Sequence, residues 1–393
     1  MGLRKRENRS RAITTALKQI DKQLKTENIC QRLGDAAPMT IETFSSGILP
    51  LDIALGGGVP VGRVIEIFGA ESSGKSLIAT RIMASVQQQG GTAALIDAEH
   101  AFSEKFSKKL GLITEDILIS QPDTLEQACE IIRALVKSNG VDVIVLDSLA
   151  SCMPSTLQDE SYEKNSIGLV ARIMSTFLRE LVGLADKYGV TVIIINQVRD
   201  NVGVMFGDPT TTPGGKALKF YSSVRIQVSK VGGTMVKKKI GTEEVVTGHT
   251  IRAKCVKNKI SAPFRKAEFQ ISYDGSVPDK VKELCELCIK TGTIPRYKSD
   301  GTPDPKGRCF KFEVGTPGEE GYELLCAKSK AEVEEQLREL PKIQEKLLEM
   351  LKNPEENQDA FMSDEEKDEF DDDDFGFDDE NLGGAEEIET WEE

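Results

Sequence analysis

Histidine and long apolar runs are both scarce in this chain. His100 and His249 are the only histidines in 393 residues, too few to assemble a Ser–His–Asp hydrolase, and both read as structural or surface residues. No apolar run approaches the ~18 residues that a membrane-spanning helix needs, so no membrane contact is expected. The N-terminal stretch MGLRKRENRSRA is too polar for a secretory signal. Arg6 also breaks the myristoylation pattern, which requires Ser or Thr at that position. Eight cysteines, at 30, 129, 152, 255, 285, 288, 309 and 326, show no framework spacing, which predicts a reduced, cytoplasmic protein. Cys285 and Cys288 form a lone CxxC, where buried thiols are expected rather than zinc ligands.

Charge is plentiful but unevenly divided. The net charge is −14, yet residues 354–393 alone hold 20 Asp/Glu and a single Lys. The other 353 residues carry 49 basic and 44 acidic side chains, a net of +5. A mildly basic body with an acidic tail hints at a polyanionic partner, and the tail's composition predicts disorder.

The length suggests two or three domains. Within 12–33, Ile13, Leu17, Ile20, Leu24 and Ile29 fall near helical spacing and predict a short amphipathic helix. On periodicity alone it is an ordinary packed helix; a docking arm is the alternative. From 36 to 275, the β-branched runs RVIEIF, TAALID, ILIS, DVIVLD, TVIIIN and SVRIQV alternate with helical stretches. This predicts an α/β fold with a mostly parallel, buried sheet. Residues 276–353 read as a small, helix-rich domain, followed by the tail from Pro354.

The octapeptide GAESSGKS (Gly69, Ala70, Glu71, Ser72, Ser73, Gly74, Lys75, Ser76) follows RVIEIF and precedes LIATRIMASV. It fits the phosphate-loop pattern in its strand–loop–helix context. Backbone N–H groups at a helix start would wrap nucleotide phosphates, with Lys75 on the β/γ-phosphates and Ser76 on Mg²⁺. Asp147, ending VDVIVLD, suits the Mg²⁺ shell. Glu99, at the end of the strand in LIDAEHAF, is the candidate for activating water; Asp97 is its rival on position alone. Gln197 ends another strand and leads into a long Gly/Pro/Thr-rich loop, a geometry by which a γ-phosphate sensor could switch that loop. LQDESYEKNS (157–166), with Arg172 and Arg179 on the helix beyond, forms a second polar segment that could contact nucleic-acid phosphates.

In order, GAESSGKS, IDAEHA, SQPDT, VDVIVLDS, NQVR…VGVMFG, GGKALKFY and VKNKISAPF make a chain that resembles bacterial RecA recombinases. The resemblance runs from about 12 to 275, and more loosely to 353. It implies a RecA-like ATPase core, a polymerisation arm over 1–35 and a small α+β C-terminal domain before the acidic tail. It also implies ATP and Mg²⁺ as cofactors, a helical homo-oligomeric filament on single-stranded DNA, and exchange with homologous duplex DNA. Single-strand-binding or loader proteins would be further partners. By the same resemblance Glu99 would be the catalytic base, Gln197 the γ-phosphate sensor and Phe106 the adenine platform. Lys257 and Lys259 would reach a neighbouring subunit's ATP. Residues 160–167, including Ile167, and 198–212 would be the DNA loops, with Arg172, Arg179, Gly214, Gly215 and Lys216 beside the DNA backbone. Phe220 would pass signals between subunits.

Several positions depart from the family pattern. Leu77 follows Ser76 where a second hydroxyl is usual, Phe106 stands for Tyr, and Ser103 for an acidic residue. Asp200, Asn201, Thr210 and Pro213 make the second loop less basic, and 230–249 is long and carries Lys237, Lys238 and Lys239. These mark a divergent member and suggest a phage origin. The competing classes are a helicase-loader, branch-migration or clock-type ATPase, and a non-catalytic regulator. Only Cys30 lies in the first hundred residues, which argues against the zinc module of a branch-migration relative. Lys75, Glu99 and Asp147 argue against a regulator.

Overall fold

The computed structural model describes residues 6–25, 30, 41–157, 166–200, 210–240, 243–275, 279–299 and 301–352. The acidic tail, residues 160–165 of the first expected DNA loop and 201–209 of the second lie outside them. The chain forms two compact units, 1–42 and 43–393.

In the first unit, helix α1 (Arg6–Leu24) begins earlier than the predicted 12–33 and ends before Lys25, whose φ is +53°. Ile29 lies outside the described residues. Ile13 and Leu24 on α1 are exposed.

The second unit opens with the pairing of β1 (Thr43–Phe44) and β2 (Val59–Pro60), which flank α2 (Leu49–Leu55). Next come β3 (Val64–Gly69), α3 (Lys75–Gln88), β4 (Ala93–Asp97), α4 (Glu104–Lys109), β5 (Leu118–Ser120), α5 (Leu125–Ser138) and β6 (Val143–Asp147). Helix α6 (Ser166–Tyr188) and β7 (Thr191–Gln197) follow, then β8 (Arg199–Asp200) paired with β9 (Thr210–Thr211). Helix α7 (Gly215–Tyr221) leads into β10 (Val224–Ile240), β11 (Glu243–Asn258) and β12 (Lys266–Ser272).

Eight strands make one sheet in the order β12-β11-β10-β3-β7-β6-β4-β5, parallel from β10 to β5 and antiparallel across β10–β11–β12. Both faces of the parallel part are covered, which is why its strands read as unbroken apolar runs. Ile65, Ile67, Val145, Ile193 and Ile195 pack with Ile78, Ile82 and Met83 of α3 on one face. Ile144, Leu146, Val192 and Ile194 pack with Ile132 of α5, Phe177 of α6 and Leu218 of α7 on the other. The runs RVIEIF, TAALID, ILIS, DVIVLD and TVIIIN form the parallel strands β3, β4, β5, β6 and β7, and SVRIQV opens β10.

The C-terminal part has its own core. Helix α8 (Lys280–Thr291), the sheet β13 (Arg296–Tyr297), β14 (Cys309–Val314) and β15 (Glu323–Ala327), α9 (Lys330–Glu339) and α10 (Pro341–Lys352) enclose Leu284, Phe310, Leu325, Val333 and Leu347. Leu49 and Ile53 of α2 pack against it, and Leu49 N–H donates to Glu283. Cys285 and Cys288 are buried in this core while Cys326 is exposed, so the four downstream cysteines are split between interior and surface. Burial pushes the Cys285 thiol up to about 11. These thiols pack as apolar groups.

Candidate active site

The site lies at the carboxyl edge of the parallel strands, where open α/β sheets place ligands. Strand β3 ends at Gly69 and α3 starts at Lys75, with Gly74 at the helix cap in the left-handed region (φ +102°). A Cβ on Gly74 would lie 2.2 Å from Ile251 Cδ1 of β11, so only glycine fits the turn and its neighbour together. Lys75 is buried, and its Nζ donates to the Gly69 and Ala70 carbonyls at 3.1 and 2.7 Å. Burial lowers the Lys75 ammonium, opposed by the charges of Asp147, Glu99 and Glu71. Ser73 Oγ is buried in the loop with no hydrogen-bond partner, and the loop opens on a cavity of about 430 Å³. An ammonium, an unpaired hydroxyl and free helix-start N–H groups suit a polyphosphate.

Asp147 ends β6. Burial pushes its carboxyl up to about 6, assisted by Glu99 and Asp97 and opposed by a hydrogen bond from Ser76 and by Lys75. A hydroxyl and a carboxylate in contact at the loop are oxygen donors of the kind that suit Mg²⁺. The Asp147 carbonyl accepts from Ala98 and Glu99 N–H at 2.8 and 3.2 Å, seating the turn after β4.

Glu99 Oε1 accepts from Gln197 Nε2 at 3.0 Å, from Ser151 Oγ at 3.3 Å and from Ser148 Oγ. Base candidate and sensor candidate, 98 residues apart in sequence, thus touch. Asp97 is committed elsewhere: it accepts from Ala101 and Phe102 N–H and from Gln121 Nε2. It is buried and organises the turn, whereas Glu99 is exposed and takes its three side-chain donors on Oε1 alone.

Phe106 lines the cavity beside the loop, joined by His249, Ile271 and Tyr273 from β11 and the end of β12. His249 is buried, hydrogen-bonded through Nδ1 to Tyr273 Oη at 3.0 Å, and its pKa is lowered by burial and then by Lys230. Sequence reasoning missed Tyr273, Ser148 and Ser151. Ser148 directly follows Asp147 and Ser151 lies four residues beyond it, both within reach of the strand-end motif; Tyr273 arrives only through antiparallel pairing.

Residues 11–278 match the family profile described as the RecA N-terminal domain. Protein RecA of Caldanaerobacter subterraneus subsp. tengcongensis is 46% identical over 297 residues, covering 74% of this chain and 84% of its own. Protein RecA of Zymomonas mobilis is 44% identical over 293 residues, with coverage of 74% and 80%. Protein RecA of Thermus thermophilus is 41% identical over 342 residues, with coverage of 87% and 93%. The chain belongs to the RecA family. It is a phosphate-loop ATPase of the ATP-dependent recombinase type.

Other expected RecA residues divide into two groups. Gly214 and Gly215 form the turn before α7, with φ of +92° and +70°. That turn packs on Leu149 and on Ala171 of α6. Arg172 and Arg179 on α6 and Lys216 on α7 are exposed, and Phe220 at the end of α7 is exposed too. The side chain of Ile167 lies outside the described residues. Lys257 and Lys259 are not among the residues lining the phosphate-loop cavities. Lys257 pairs with Arg225 while Gly69 pairs with Val228, which sets the lysine roughly 10 Å back along β10. Its Nζ donates to the Lys219 and Phe220 carbonyls at 2.6 and 3.0 Å.

Proposed function

We propose that this chain polymerises on single-stranded DNA as an ATP-dependent filament and pairs it with homologous duplex DNA, hydrolysing ATP between neighbouring copies. The Gln197–Glu99 contact beside the phosphate loop carries this reading. It joins the carboxylate that would activate water to the first residue of the strand exit leading into the second DNA loop. Gly69–Ser76 cradle the phosphates, and Phe106 and Tyr273 take the base. Ser76 and Asp147 are the residues that would hold Mg²⁺, whose charge offsets that of the phosphates when bound.

The position of Lys257 supports a role in the site of a neighbouring copy rather than its own. Exposed apolar groups support self-association: Leu118 and Ile119 on edge strand β5, Phe220 on α7, and Ile13 on α1. Arg172, Arg179, Gly214, Gly215 and Lys216 approach the DNA backbone through charge and main-chain N–H groups. The protein works in the cytoplasm, and single-strand-binding or loader proteins are its candidate accessory partners.

ATP turnover measured with and without single-stranded DNA tests the reading. Strong stimulation by DNA, and loss of strand exchange in Lys75→Ala, are expected. A chain whose turnover ignores DNA, or whose Lys75→Ala variant still exchanges strands, is not this enzyme.

A further inference from the structure

We infer that the Asn196 carboxamide is a positioning joint that ties the exit of the second DNA loop to Gln197 and, through it, to Glu99. The inference rests on the functional reading above. Asn196 is fully buried near the end of β7. One Nδ2 hydrogen goes to Glu66 Oε1 at 3.1 Å and the other to the Pro213 carbonyl at 2.9 Å. Its Oδ1 accepts the Gln197 backbone N–H at 3.1 Å. Both hydrogens and the oxygen are thus engaged, each toward a different part of the machinery.

Each partner is itself fixed or functional. Glu66 lies on β3, three residues before the phosphate loop, and is fully buried. Its other oxygen accepts from Arg225 Nε at 2.5 Å, and that guanidinium lies over the Phe68 ring at 4.5 Å. This end is an anchor: a buried carboxylate with a cation and an amide has no cheap alternative partner. The Pro213 carbonyl is the loop-side end, where the chain enters the glycine turn into α7. The next residue after Gln197, Val198, is held by its N–H to the Gly69 carbonyl at 3.3 Å. A shift of Pro213 pulls the amide, and the amide also holds the Gln197 backbone. The Gln197 side chain is then re-aimed at or away from Glu99.

Only a neutral carboxamide of this length serves. Aspartate has no donor for Pro213 and sets a second carboxylate against Glu66; alanine leaves buried acceptors unpaired.

The test measures ATP turnover with and without single-stranded DNA, affinity for a fluorescent ATP analogue, and thermal stability. The proteins are the parent chain, Asn196→Asp, Asn196→Ala and the double variant Glu66→Gln/Asn196→Asp. Each single variant should lower the DNA-stimulation ratio by about tenfold or more, with nucleotide affinity changed less than about twofold. In the double variant the new amide at 66 can donate to the new carboxylate at 196 while its oxygen still accepts from Arg225, and the net charge of the cluster is unchanged. Thermal stability should therefore recover while stimulation stays lost, since Pro213 is still unpaired. A purely structural role would restore both together. Stimulation retained in Asn196→Asp, or regained in the double variant, overturns the joint. If the single variants do not fold, the double variant decides. A parent chain without DNA stimulation overturns the functional reading and the joint with it.

Discussion

Glu99 takes donors from Ser148, Ser151 and Gln197 on a single oxygen, which fixes its carboxylate, and it lines a cavity shared with Ser76 and Asp147. Asp147, its neighbour, carries the clearest pH signature. Burial raises its carboxyl from 3.8 to about 6, so the folded chain holds an extra proton between those values. The stability linked to this group is therefore greatest below that window and is lost as pH rises through it. With Asp147 in the proposed Mg²⁺ shell, nucleotide binding would run the opposite way, because the cation needs the charged carboxylate. Below about pH 6, Mg²⁺-dependent affinity for a fluorescent ATP analogue should fall by up to about tenfold per pH unit. A flat profile from pH 5 to 7.5 would remove Asp147 from the metal shell. Gly69–Ser76, Glu99, Asp147 and Gln197 were legible in the sequence because each ends or follows an apolar strand, and strand ends share one edge. Tyr273 and His249 were not, since their place depends on the register of β11 and β12.

At the scale of elements, the parallel strands announced themselves by composition, both faces being buried. The long ribbon of β10 and β11 did not. Past Lys230 it carries Gly232, Gly233, Thr234 and Lys237, with Met235, Val245 and Val246 exposed, so neither alternation nor an apolar run marks it as strand. The segment 276–353 read as helix-rich because β13, β14 and β15 are short and half-exposed, while α8, α9 and α10 carry clear helical periodicity. Their shared core supplies a stability prediction. Leu347 on α10 is fully buried, and Leu347→Ala should cost about 2–5 kcal/mol. Local hydrogen exchange should show the loss in β14, β15 and α8–α10 before the ATPase sheet. Equal loss in both regions would mean the two cores unfold as one.

At the scale of the whole molecule, the site is incomplete without a second copy if Lys257 acts across an interface. Glu99→Gln should keep nucleotide binding while turnover falls by about 10²–10⁴-fold, and Lys257→Ala should also be slow. Mixed in equal amounts, the two inactive variants should regain activity, because about a quarter of randomly formed interfaces pair an intact Glu99 with an intact Lys257. No gain on mixing would return Lys257 to its own subunit, where it binds the end of α7. The basic body and the acidic 354–393 segment set the charge pattern of any such assembly, and raised salt should weaken its hold on DNA.

Electron microscopy of the full chain with single-stranded DNA and a slowly hydrolysed ATP analogue tests the central claim most directly. Helical filaments should form with both ligands present and be lost in Lys75→Ala. Discrete particles in the presence of both ligands, or filaments indifferent to nucleotide, would contradict an ATP-gated filament.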